Sequence, residues 1–141
     1  MSGPEERSNQ RQVITFHDPD GIALELVAHE GADFRTGSED GPVPSEHAIR
    51  GFYSVTIKVR NHAFTSTLLT EVMGFRLIEQ KSERYRYEVG EGGPGTMIDV
   101  ISQEDARFGR NSIGTIHHIA WRIENEDELR NYDEDILKKT G

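Results

Sequence analysis

Cysteine is missing from all 141 residues. Disulfides and thiolate metal sites are thereby excluded, leaving His, Asp and Glu as the strong protein ligands. Long apolar runs are missing as well, since no stretch nears the ~18 residues of a membrane span. The opening Met1-Ser2-Gly3-Pro4-Glu5-Glu6 has neither a basic nor an apolar region. No secretory signal is therefore expected, and the chain reads as cytoplasmic. Positive charge is scarce: 16 Lys and Arg stand against 25 Asp and Glu, a formal net charge of -9. Nucleic acid and anionic membrane are poor partners for such a surface, since both demand basic groups. The expectation is one soluble domain acting on a small molecule, with 34% hydrophobic residues to build its core.

What is present is organised around Gly114-Thr115-Ile116-His117-His118-Ile119-Ala120-Trp121-Arg122-Ile123. Read as a strand, its side chains alternate between two faces. His117, Ile119, Trp121 and Ile123 share an apolar face suited to packing on a helix. Ile116, His118, Ala120 and Arg122 share the other, which carries an imidazole and a guanidinium four residues apart. Two readings follow: a cavity wall holding a metal or a polar ligand, or one hydrogen-bonded core histidine beside one near solvent.

Taken in order, residues 1–12 are polar and aperiodic, and read as a disordered tail. Residues 13–28 read as a β-hairpin turned by His17-Asp18-Pro19-Asp20-Gly21. On its second strand Glu25 lies between Ala23 and Val27, either solvated or reaching into a site. Residues 29–50, rich in Gly, Pro and acidic groups, read as a linker.

A compact unit follows over 51–102. A strand over 52–59 leads to Asn61, which can cap a helix over 62–73 with Gly74 just past its end. Three strands follow, within 75–79, 84–89 and 96–101. The glycine-rich turn at 90–95 lacks a Gly-Lys-Ser/Thr ending and joins two strands, so no nucleotide is assigned to it. The order is βαβββ. After the loop 102–113 come the strand 115–123 and a helix over 126–139, with Asn125 as cap and Glu128 placed for a capping box. Together 114–141 read as the first strand and helix of a further unit. The expected sheet is one mixed, mainly antiparallel, curved sheet of 13–28, 52–59, 75–101 and 115–123, with helices on its convex side.

Two internal repeats support this. Shifted by 64, Phe52, Ser54, Val55, Ile57, Lys58, Val59 and Asn61 fall on Ile116, His118, Ile119, Trp121, Arg122, Ile123 and Asn125. Shifted by 74, Gly21, Leu24, Glu25 and Leu26 fall on Gly95, Ile98, Asp99 and Val100. Tandem βαβββ units, with Asp-Pro-Asp-Gly-x-x-x-Glu-Leu over 18–26, resemble the vicinal oxygen chelate superfamily of glyoxalases, bleomycin-resistance proteins and extradiol dioxygenases. The stretches 47–52, 68–76, 85–88 with 92–95, and 114–120 are similar to the hydroquinone-type ring-cleaving dioxygenases. Those enzymes hold four units in about twice this length, so the resemblance implies a fragment of that form.

The resemblance implies an α+β fold of glyoxalase-like modules, a small aromatic substrate of hydroquinone or catechol type, and Fe(II) held by two His and one carboxylate. It makes His118 a metal ligand and His117 a catalytic acid or base acting on substrate. Glu25 occupies the superfamily's carboxylate position, in a unit where the dioxygenases do not use it. Their other ligand segments fall outside this chain, and the central unit's ligand positions hold Ser54 and Asp99. Were 13–28 and 115–139 to rebuild one unit, Glu25 and His118 would share a face with Arg122 beside them as a substrate contact. That pair could bind Fe, Mn, Ni or Zn with partial occupancy. Two function classes stand: a ring-cleaving dioxygenase, in a truncated form with reduced or no activity, or a non-catalytic module that binds a small molecule or assembles. The unpaired strand edges of incomplete units imply a homo-oligomer, a dimer first of all.

Overall fold

Asp18 starts the first recognisable structure by folding the chain over its own side chain. Its Oδ1 accepts from the backbone N–H of Asp20 at 3.0 Å and of Ile22 at 2.8 Å. Gly21, at φ 91°, completes the turn. This closes the hairpin of β2 (Arg11–His17) and β3 (Ala23–Ala28), antiparallel with Val13 opposite Val27 and Thr15 opposite Glu25. The computed structural model describes residues 3–7, 11–29, 35–37, 40–110, 112–123 and 125–140. Within them a further strand, β1 (Glu5–Arg7), pairs with β2, Glu5 opposite Val13. The tail expected to be disordered thus contributes a strand. A polar, aperiodic segment can still join a ladder through its backbone, which needs no side-chain pattern. Among the described residues of this sheet Val13 is buried.

The chain divides into two units. The first comprises Met1–Arg50 with Phe108–Ala120, and the second Gly51–Arg107 with Trp121–Gly141. In the second unit β4 (Ser54–Val59) is followed by α1 (His62–Thr67), β5 (Arg76–Lys81), β6 (Arg84–Glu88) and β7 (Met97–Ser102). The strand order is β4-β7-β6-β5, with β4 parallel to β7 and the other pairs antiparallel. The βαβββ order expected over 51–102 is the one observed. Asn61 caps α1, its Oδ1 accepting from Ala63 N–H at 2.8 Å. The expected helix continues only by changing pitch, as a π-helical turn over Leu68–Val72 closed by Met73 N–H to Leu68 O at 3.0 Å. Leu69, within that turn, is buried. Leu69, Phe75, Tyr87, Ile98 and Val100 form the core, with Val55, Ile57, Val59, Met73, Tyr85, Val89 and Trp121 against it. All the strand residues among these belong to one face of the sheet. α2 (Glu126–Thr140) opens on Asn125, whose Oδ1 accepts from Glu128 N–H at 2.9 Å.

Two expectations are corrected. The described strands form a three-stranded sheet and a four-stranded sheet rather than one. Residues 115–123 form no strand. Alternation describes a face, but a strand exists only where a neighbouring edge accepts its backbone bonds, and no described strand pairs with this segment.

Candidate functional site

The segment 112–120 belongs to the first unit. Thr115 Oγ1 accepts from Ser112 N–H at 3.0 Å and donates to Ser112 O at 2.6 Å. Gly114 has φ 79°, and a Cβ there would run into the carbonyl oxygen of Asp20. Only glycine lets the two backbones approach so closely. The turn delivers His117 and His118 side by side and exposed, with Nδ1 atoms 3.1 Å apart and rings nearly perpendicular at 87°. One Nδ1 must donate and the other accept, so a single proton lies between the rings.

The expected site residues divide between the units. Glu25 lies exposed on β3 of the first unit, and His117 and His118 in its 112–120 segment. Arg122 is exposed and belongs to the second. The strand that would have aligned His118 with Arg122 on one face is not formed, so alternation gives them no shared wall. Trp121, expected on the apolar face, does meet the core, edge-on to Phe75 at 5.1 Å between ring centres. Among the described residues no three His, Asp and Glu side chains come together as a metal ion would require. These residues therefore do not complete a two-His, one-carboxylate site.

Sequence reasoning missed a second polar centre, on the sheet face of the second unit that points away from the core. Asp99, 1% exposed, accepts from Arg86 Nε and Nη2 at 2.6 Å each and from Arg84 Nη1 at 2.7 Å. Arg86 also lies 5.8 Å from the centre of the Tyr53 ring. Burial, then the charges of Asp99 and Glu79, push the Tyr53 phenol up to about 12. The position that resemblance assigned to a ligand thus holds a carboxylate whose oxygens are taken by guanidinium groups. Period two in Arg84-Tyr85-Arg86-Tyr87 placed both arginines on one face. Their meeting with Asp99 depends on register, Arg86 opposite Asp99 and Arg84 opposite Ile101.

No protein-family model matches the chain. It is 31% identical over 146 residues to MhqA and 34% identical over 119 residues to MhqO, two Bacillus subtilis (strain 168) proteins named provisionally as ring-cleaving dioxygenases. The matches cover 99% and 84% of this chain, and 46% and 37% of those proteins. It is 28% identical over 131 residues to a chlorohydroquinone/hydroquinone 1,2-dioxygenase of Sphingobium indicum, covering 90% of this chain and 40% of that protein. A solved structure described provisionally as a dioxygenase from Bacillus subtilis superposes with TM-score 0.82 at 29% identity, over 97% of this chain and 43% of the other. An integron cassette protein from a sewage-outfall metagenome, 20% identical, superposes with TM-score 0.50 over 64% of this chain and 72% of its own, a likeness of fold alone. The chain is related to proteins named for ring-cleaving dioxygenase activity, and it spans less than half their length.

Proposed function

We propose that this chain is part of, or a short form of, a metal-dependent ring-cleaving dioxygenase of the vicinal oxygen chelate type, acting on hydroquinone- or catechol-like aromatics. The observation that carries this reading is the likeness, over nearly the whole chain, to relatives named for ring cleavage. The βαβββ order with β4 parallel to β7 supports the glyoxalase-like assignment. A cytoplasmic location goes with this reading.

In it His118 is one ligand of a divalent metal, Fe(II) first, with Mn, Ni or Zn as alternatives. Glu25 is the candidate carboxylate. His117, one shared proton away from His118, holds or moves a proton at the substrate hydroxyl. Arg122 orients the substrate's anionic oxygen. The described residues do not complete the ligand set, so the missing donors come from outside them, and a second copy in a homodimer is the proposed source. The first unit suits such pairing. Among the described strands β3 lies at an edge, and Leu24, Leu26, Ile113 and Ile116 are exposed.

The test is iron content and oxygen uptake with hydroquinone for purified wild type, His118→Ala and Glu25→Gln, with light scattering for assembly. The reading expects a dimer or larger, iron in wild type, and loss of iron in His118→Ala. Wild type that holds iron no better than His118→Ala would overturn the metal-site reading.

A second reading, a non-catalytic module that binds a small molecule or assembles, is favoured by one observation. Asp99 is bound by two guanidinium groups rather than left available to a metal.

A further inference from the structure

The face of the four-stranded sheet that carries Asp99 also carries a row of cations. Across β4, β7, β6 and β5 the register sets Lys58 beside Ile101, Ile101 beside Arg84, and Arg84 beside Lys81. Neighbouring strands lie ~4.8 Å apart, so three cations flank one isoleucine within about 15 Å. The next row reads Thr56, Asp99, Arg86 and Glu79. That row holds one cation against two acids, a net charge of -1. In the first row no acid stands among the three cations, although the chain as a whole carries -9. Like charges directly opposite one another, as Arg84 and Lys81 are, disfavour the pairing unless an anion joins them.

Arg84 is the informative member. Its Nη1 is pinned to the buried Asp99 at 2.7 Å, and the side chain remains 30% exposed. A guanidinium has five N–H donors in a rigid plane. With Nη1 bonded to Asp99, the opposite edge, Nε with Nη2, makes no hydrogen bond to the described residues. That is the edge Arg86 presents to Asp99 in its two-bond fork, and it matches a carboxylate in both spacing and plane. Ile101, half-buried next to it, offers an aliphatic floor.

We infer that this face of the second unit is a binding site for small carboxylates with an apolar body, in which the Nε/Nη2 edge of Arg84 takes the carboxylate, Lys58 and Lys81 flank it and Ile101 carries the apolar part. The site is independent of His118 and Glu25 and does not depend on the reaction proposed above. Asp99 acts in it as an anchor: its single charge is shared between Arg86 and Arg84, so it holds Arg84 in place while Arg84, Lys58 and Lys81 together keep a positive excess.

The experiment is an amide NMR titration of the full 15N-labelled chain with sodium benzoate, against sodium chloride at matched ionic strength and against inorganic phosphate. Benzoate is expected to shift the amides of Lys58, Arg84 and Ile101 saturably, chloride is not, and phosphate should bind more weakly for want of an apolar part. Arg84→Gln should weaken benzoate by about tenfold, the usual worth of a charged hydrogen bond. Lys58→Gln with Lys81→Gln should weaken it by about threefold. No saturable shift with benzoate would overturn the site, and so would benzoate binding unchanged in an Arg84→Gln protein that keeps its spectrum. Should Arg84→Gln fail to fold, unchanged binding in the double lysine variant overturns it instead. Phosphate binding as tightly as benzoate overturns the assignment to apolar carboxylates.

Discussion

Arg86 and Asp99 meet through a two-bond fork, Nε to Oδ1 and Nη2 to Oδ2, both 2.6 Å, between side chains 8% and 1% exposed. Two charges taken from water are costly to bury, and only near-ideal geometry recovers that cost. Here the third bond, from Arg84, completes the shell around the carboxylate. The described residues leave no buried side-chain polar atom without a partner.

Removing one member leaves charge stranded. Asp99→Asn should lower stability by about 3–5 kcal/mol, measured by urea unfolding, because two guanidinium groups lose their counter-charge together. The double variant Asp99→Leu with Arg86→Met should lose much less than Asp99→Asn alone. Equal losses would mean that packing, rather than charge, dominates at this position.

Tyr53 gives a pH dependence. Its phenol is pushed from 10.0 to about 12 by burial, then by Asp99 and Glu79. The unfolded chain releases that proton first, so above pH 10 the native state binds more protons than the unfolded one. Stability contributed by the neutral phenol is complete below pH 10 and is lost as pH rises towards about 12. Unfolding measured across this range should show the decline, and Tyr53→Phe should flatten it.

Two glycines separate conformational strain from collision. Gly74, at φ 70°, faces open space, so Gly74→Ala should cost about 1 kcal/mol for backbone conformation alone. Gly114, at φ 79°, abuts Asp20, so Gly114→Ala should cost clearly more. Urea unfolding of both variants compares them, and equal losses would remove the case for close approach at Gly114.

The core of the second unit is tested by deletion. Tyr87 is 1% exposed and donates to Ser66 Oγ at 2.9 Å. Tyr87→Phe should cost about 1 kcal/mol, the net worth of one hydrogen bond. Val100, fully buried, loses two methyl groups in Val100→Ala, for about 2 kcal/mol with the cavity included. Thermal melts in which Tyr87→Phe is the worse of the two would contradict this ranking.

Local chemistry was legible in the sequence alone. The turn at Asp18–Gly21, the caps Asn61 and Asn125, and the alternation through 54–59 and 84–88 each rest on neighbours a few residues apart, and each formed as read. Resemblance to ring-cleaving dioxygenases was also legible, because it lies in strings of adjacent residues. Tertiary structure decided the rest. Residues 115–123 alternate as a strand should but pair with no described strand, and β1 forms without any apolar pattern because backbone groups suffice. Arg86 and Asp99 are 13 residues apart, and Arg84 and Asp99 are 15 apart. Nothing along the chain links them. A shift of register by one residue would turn Asp99 to the opposite face and leave both guanidinium groups without it. Side-chain type and spacing select the element and its faces, whereas which faces meet is settled by hydrogen-bond registry between distant strands.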